Sequence, residues 1–154
     1  MGRTMGRTKI AMLSASAVAL VGLAVHEGYR ENAYLDIVGV ATIGYGTTEG
    51  VKLGDRTDPI KALERALSDM QKFEGAIKQC VKVPLYQHEY DALIGLAYNV
   101  GSNAFCSSTL VKLLNQMRYS EACDQILRWN RAGGKVVRGL TIRREKEHKQ
   151  CLGL

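Results

Sequence analysis

At 154 residues, with 46% hydrophobic and 23% charged residues, the chain has the make-up of one well-cored domain or two small lobes sharing a helix, which excludes a disordered chain. A net charge of +6 and a pI near 9.2 favour polyanionic partners, with nucleic acid and the anionic bacterial wall as candidates. No zinc-finger spacing, RNA-binding aromatic signature or heptad zipper supports nucleic acid.

Arg3, Arg7 and Lys9 precede a 16-residue uncharged run, Ile10 to Val25. A basic flank followed by an apolar run is the layout of an export signal, with the basic end cytoplasmic and the rest facing the periplasm. As a helix the run spans roughly 24 Å against a hydrocarbon core of about 30 Å. Half of it is Ala, Ser or Gly, so it makes a poor permanent anchor. Three readings compete: a signal peptide cleaved after Gly22-Leu23-Ala24, a cytosolic core helix, or a segment that inserts uncleaved and then leaves the bilayer. The third is preferred. Residues 1–25 are therefore set apart as a hydrophobic leader that later joins a helix of the domain formed by residues 26–154.

From Tyr34 to Val51 the chain is rich in β-branched, aromatic and glycine residues, with turn signals at Asp36 and Gly39, and predicts a small antiparallel hairpin. Asp58 is the N-cap and Pro59 the first residue of a long helix whose apolar positions are Ile60, Leu63, Leu67, Met70 and Phe73. Pro84 breaks that pattern, and a second helix is expected from Gln87 to Val100 with Gly101 as its stop. Further helices are expected near 107–116, 120–129 and 142–151, with a loop at Gly133-Gly134. The fold class is α+β: a small hairpin-containing lobe, a long connecting helix, an all-helical lobe and a cleft between them.

Cys80, Cys106, Cys123 and Cys151 make an even count without a C-x-x-C pair, which argues against a metal site. An exported chain favours disulfides. Neighbours, Cys80 with Cys106 and Cys123 with Cys151, are the expected pairs among three permitted pairings.

Glu27, Asp36 and Thr42 form an E-x8-D-x5-T constellation across the predicted helix end, turn and strand. Two carboxyl groups near a hydroxyl suit glycoside hydrolysis. On residue type alone, Glu27 is also readable as a surface glutamate, Asp36 as a turn cap and Thr42 as a strand residue.

The segment HEGYRENAYLD followed by ATIGYGTT resembles the active-site segment of the phage lysozymes, the endolysins that cut bacterial cell-wall glycan. The resemblance extends through VPLYQHEYDALIGLAYNVGSNAF, STL and RWNRAGG to GLTIRREKEHKQCL, and so covers nearly everything after about residue 20. It implies a lysozyme-like fold and a muramidase acting on peptidoglycan, with Glu27 as general acid, Asp36 as partner carboxylate and Thr42 holding the attacking water. It also implies inversion, with carboxyl groups about 6.5–9.5 Å apart to admit a water. A lytic transglycosylase, or a non-enzymatic wall-binding or bilayer-disrupting protein, is the alternative. Tyr98 matches an aromatic of the family's cleft, with sugar stacking and core packing equally open, and Thr109 of the STL motif is a candidate glycan contact. Thr47 stands where the family often has histidine, so a His–Asp pair supporting that turn is missing.

The leader resembles that of the signal-anchor-release endolysins. This implies contact with the host inner membrane through residues 10–25, then release into the periplasm. Leu20, Leu23 and Val25 would face lipid first and join the core later, and Glu27 would be kept from Asp36 and Thr42 until release. No metal or organic cofactor, no nucleic acid and a monomer are expected. Trp129 is expected in the core, and the basic run Arg138, Arg143, Arg144, Lys146 and Lys149 on a solvated helix face.

Overall fold

The computed structural model describes residues 6–154; Arg3 lies outside the described residues. An extended arm leads through a short 3₁₀ turn, Ile10–Met12, into α1 (Ala17–Glu27). Then come β1 (Arg30–Leu35), β2 (Ala41–Gly44) and the long α2 (Pro59–Cys80). The helical lobe follows with α3 (Gln87–Val100), α4 (Ser102–Cys106), α5 (Thr109–Asn115) and α6 (Tyr119–Gln125). A small hairpin, β3 (Arg131–Ala132) and β4 (Lys135–Val136), precedes the closing helix α7 (Arg138–Leu152). The α+β class and the two-lobe layout agree with the sequence reading.

Strands β1 and β2 pair antiparallel, with Tyr34 opposite Thr42 and Leu35 opposite Ala41. Helix α2 starts as its sequence dictates: Asp58 caps it by accepting from the Lys61 N–H at 2.9 Å, with Pro59 in the first turn. Its buried face keeps Met70 inside and Phe73 packed against the core, as expected, and differs at the other three positions. Ile60, Leu63 and Leu67 are exposed, and the face turned inward carries Ala62, Ala66, Met70 and Ile77. Alanines win because they let the hairpin approach closely; the Cβ of Ala62 leaves no room for a side chain at Gly44.

Helix α3 is the centre of the lobe, with Tyr90, Leu93, Ile94, Leu96 and Ala97 essentially without solvent exposure. Gly101 ends it at a φ of 92°. Disulfides Cys80–Cys106 and Cys123–Cys151 tie α2 to α4 and α6 to α7. Gly133 and Gly134, both at positive φ, form the two-residue turn between β3 and β4 rather than an open loop. Helix α7 starts at Arg138, earlier than the apolar pattern suggested.

The arm and α1 pack onto this lobe. Thr8 exchanges two backbone hydrogen bonds with Leu85, and the Arg7 guanidinium sits 3.5 Å from the Tyr119 ring centre while donating to both oxygens of Glu89. Ser16 donates to the buried Asp91, and the N–H of Ala15 to Glu74. Leu13 and Leu23 are buried and Leu20 packs against the core, whereas Val25, expected inside, is exposed. Among the described residues no helix is long and apolar enough to cross a membrane.

Candidate active site

Glu27 is the last residue of α1, which stops because Gly28 turns out of the helix at a φ of 68°. The glutamate side chain is 21% exposed, and its Oε1 accepts from Arg143 Nη1 at 3.0 Å. Gly46 closes the other side: at a φ of 84°, a Cβ there would lie 2.9 Å from Glu27 Oε2. Glycine is thus required twice over, by backbone conformation and by the approach of the carboxylate.

Asp36 forms the turn between β1 and β2. Its Oδ1 accepts from the N–H groups of Val38 (3.0 Å) and Val40 (2.8 Å). This turn engages one carboxylate oxygen. Thr42, in β2, is buried, and its hydroxyl donates to the Val40 carbonyl at 2.9 Å. With its proton so used, Oγ1 presents lone pairs that suit a donating water.

Glu27, Asp36, Thr42 and Tyr98 line one cleft of about 400 Å³, together with Tyr34, Asp69 and Asn99. Glu49, Asp69 and Lys72 also border a neighbouring groove of about 330 Å³ that reaches Arg65. Glu49 and Lys72 are paired at this border, and the ammonium holds the Glu49 carboxyl below the usual range. Tyr98 stands between core and cleft: its hydroxyl donates to the Tyr45 carbonyl at 3.1 Å and its ring lies 5.2 Å from that of Phe73. Burial, then the charges of Asp69 and Glu27, push its phenol well above the ordinary value. Thr109 is apart from these residues, in a depression shared with Ser108, Arg128 and the half-buried Trp129, whose indole packs against the core.

The turn below the cleft is held without a histidine. Thr47, fully enclosed, donates its hydroxyl proton to Asp69 Oδ2 at 2.8 Å and links the hairpin lobe to α2.

In the basic run of α7, Arg138, Lys146 and Lys149 lie on the solvated face expected of them, whereas Arg143 and Arg144 do not. Arg143, Arg144 and Glu147 are buried. Arg143 Nε donates to Glu147 Oε1 at 3.2 Å while its Nη1 reaches Glu27, and Arg144 pairs with the other oxygen of Glu147, with Asn99 and with the Trp129 carbonyl. The spacing Arg143, Arg144, Glu147 was the available signal, since residues three and four apart share a helix face; the neighbouring Glu145 and Lys146 disguised it.

The phage lysozyme family model matches residues 24–147. A SAR-endolysin of Pseudomonas phage phiKMV is 44% identical over 143 residues, which is 90% of this chain and 89% of that protein. Among solved structures, the endolysin from Escherichia coli O157:H7 phage FAHEc1 superposes with a TM-score of 0.82 at 33% identity, covering 92% of this chain and 94% of that one. The muramidase domain of SpmX from Asticaccaulis excentricus gives 0.84 at 28% identity, covering 90% and 97%. With the match running from the helix that ends in Glu27 to the one that supplies Arg143, the chain belongs to the phage lysozyme family.

Proposed function

We propose that this chain is an endolysin of the muramidase type, hydrolysing the β-1,4 bond between N-acetylmuramic acid and N-acetylglucosamine in peptidoglycan to lyse the host cell. The observation that carries this reading is the convergence of Glu27, Asp36 and Thr42 on one cleft. Glu27 gives its proton to the glycosidic oxygen as the C1–O bond breaks. A water donating to Thr42 Oγ1 attacks C1 from the opposite face, passes its proton to Asp36 and inverts the centre. Asp36 also opposes the positive charge that develops on the sugar. Tyr98 contacts a sugar ring in the cleft, and Thr109 contacts glycan beside Trp129.

Before release, residues 10–25 hold the protein at the host inner membrane; afterwards it acts in the periplasm as a monomer. The name of the phiKMV relative and the weak hydrophobicity of the run support this. The packing of Leu13 and Leu23 in the core is what a released segment should reach. Mass spectrometry of fragments from purified peptidoglycan, treated with wild type and with Glu27→Gln, tests the chemistry. Reducing muramic ends from wild type and none from the variant are expected. Anhydro-muramic ends would move the chain to the transglycosylases, and an active Glu27→Gln would remove the acid assignment.

A further inference from the structure

Arg143 contacts two carboxylates at once: Nη1 is 3.0 Å from Glu27 Oε1 and Nε is 3.2 Å from Glu147 Oε1. Arg144 takes the second oxygen of Glu147. All three α7 side chains are under 10% exposed, so solvent screens these charges little. This creates a conflict for a general acid. A general acid has to carry a proton, whereas cationic neighbours in general favour the charged form of a carboxyl group.

Glu147 supplies the counter-charge in this cluster. The four groups Glu27, Glu147, Arg143 and Arg144 are neutral together when Glu27 is ionised, and carry one positive charge when it is protonated. Without the Glu147 charge those two states would carry one and two positive charges, so placing a proton on Glu27 would leave two buried cations without a counter-charge. We propose that Glu147 is a positioning residue for the general acid: it fixes Arg143 against Glu27 while cancelling enough cationic charge for Glu27 to keep a proton. This rests on the reading of Glu27 as the acid.

The other groups facing Glu27 leave this role to Glu147. Lys146 on α7 adds cationic charge, and His26 on α1 is held below the ordinary imidazole range, by desolvation and then by Arg143, Lys146 and Arg144. Tyr98 on α3, its phenol pushed up, stays neutral. Asp36, Asp69 and Glu49 lie on the cleft walls, with Lys72 beside them.

The test is the pH profile of peptidoglycan hydrolysis by the full, oxidised chain, for wild type, Glu147→Gln, Glu147→Asp and Arg144→Gln, with thermal melts to establish folding. Glu147→Gln should move the alkaline limb to lower pH by about one unit, and Glu147→Asp should leave the limb where wild type has it. Arg144→Gln, which removes a cation, should move it to higher pH and carries the test if Glu147→Gln does not fold. Loss of activity uniform across pH, with limbs unmoved in the folded variants, would overturn the proposal. Glu27→Gln is run alongside: if it is active the acid assignment itself falls, and if it is inactive while the limbs stay fixed, only the role of Glu147 falls.

Discussion

Arg143 and Glu27 are joined at 3.0 Å although 116 positions separate them, which links the end of α1 to the closing helix. A carboxylate at a helix end before glycine has rotamer freedom, and the guanidinium removes it. Replacing Arg143 with alanine should lower kcat by about a hundredfold, the scale of a 1 Å misplacement of a reacting group. Steady-state hydrolysis of peptidoglycan by folded protein checks this; an unchanged kcat would mean that Glu27 needs no such support.

Gly46→Ala should damage stability and activity together. The left-handed backbone costs an alanine about 1–2 kcal/mol, and the new methyl would sit 2.9 Å from Glu27 Oε2. Gly54, also at positive φ but with open space around it, is the control: Gly54→Ala should lose comparable stability and keep its rate. Urea midpoints and initial rates of the two variants decide the matter.

Tyr90 gives a pH signature. It is fully buried and its hydroxyl donates to Glu74 at 2.8 Å. Burial, then the Glu74 bond, drive its phenol far above the ordinary value. The unfolded chain loses this proton near pH 10 while the folded one retains it, so stability is intact below about pH 10 and is lost as pH rises further. Tyr90→Phe should cost about 1 kcal/mol at neutral pH, and the gap to wild type should close between about pH 9 and about pH 11. A gap independent of pH would contradict the burial argument.

Leucines inserted beside Ala11 lengthen the apolar run and should trap the protein in the membrane. Trapped protein should leave the wall intact, because Leu13 and Leu23 are then absent from the core that aligns Glu27. Equal wall cleavage by trapped and released protein, measured in host membranes at matched amounts, would sink the idea.

Helix α3, the N-cap at Asp58, the hairpin and, of the cleft lining, Glu27, Asp36, Thr42 and Tyr98 were legible in the sequence because each depends on local signals: turn residues, caps and a continuous motif. The buried stripe of α2 was not, since larger side chains at Ile60, Leu63 and Leu67 outweighed the alanines in any hydrophobic count, while tertiary packing chose the alanines. The short α4 lay hidden in a five-residue stretch after Gly101. The arginines of α7 were hidden for the opposite reason. Charge reads as exposure unless its partners are known, and Glu27 and Asn99 are distant in sequence.

Hydrolysis with Glu27 as acid is tested by digesting purified peptidoglycan in ¹⁸O-water and reading the muramic ends by mass spectrometry. Wild type should give reducing ends carrying one ¹⁸O, and Glu27→Gln should give none. Unlabelled 1,6-anhydro ends would rule out hydrolysis, and labelled ends from Glu27→Gln at the wild-type rate would rule out Glu27 as the acid.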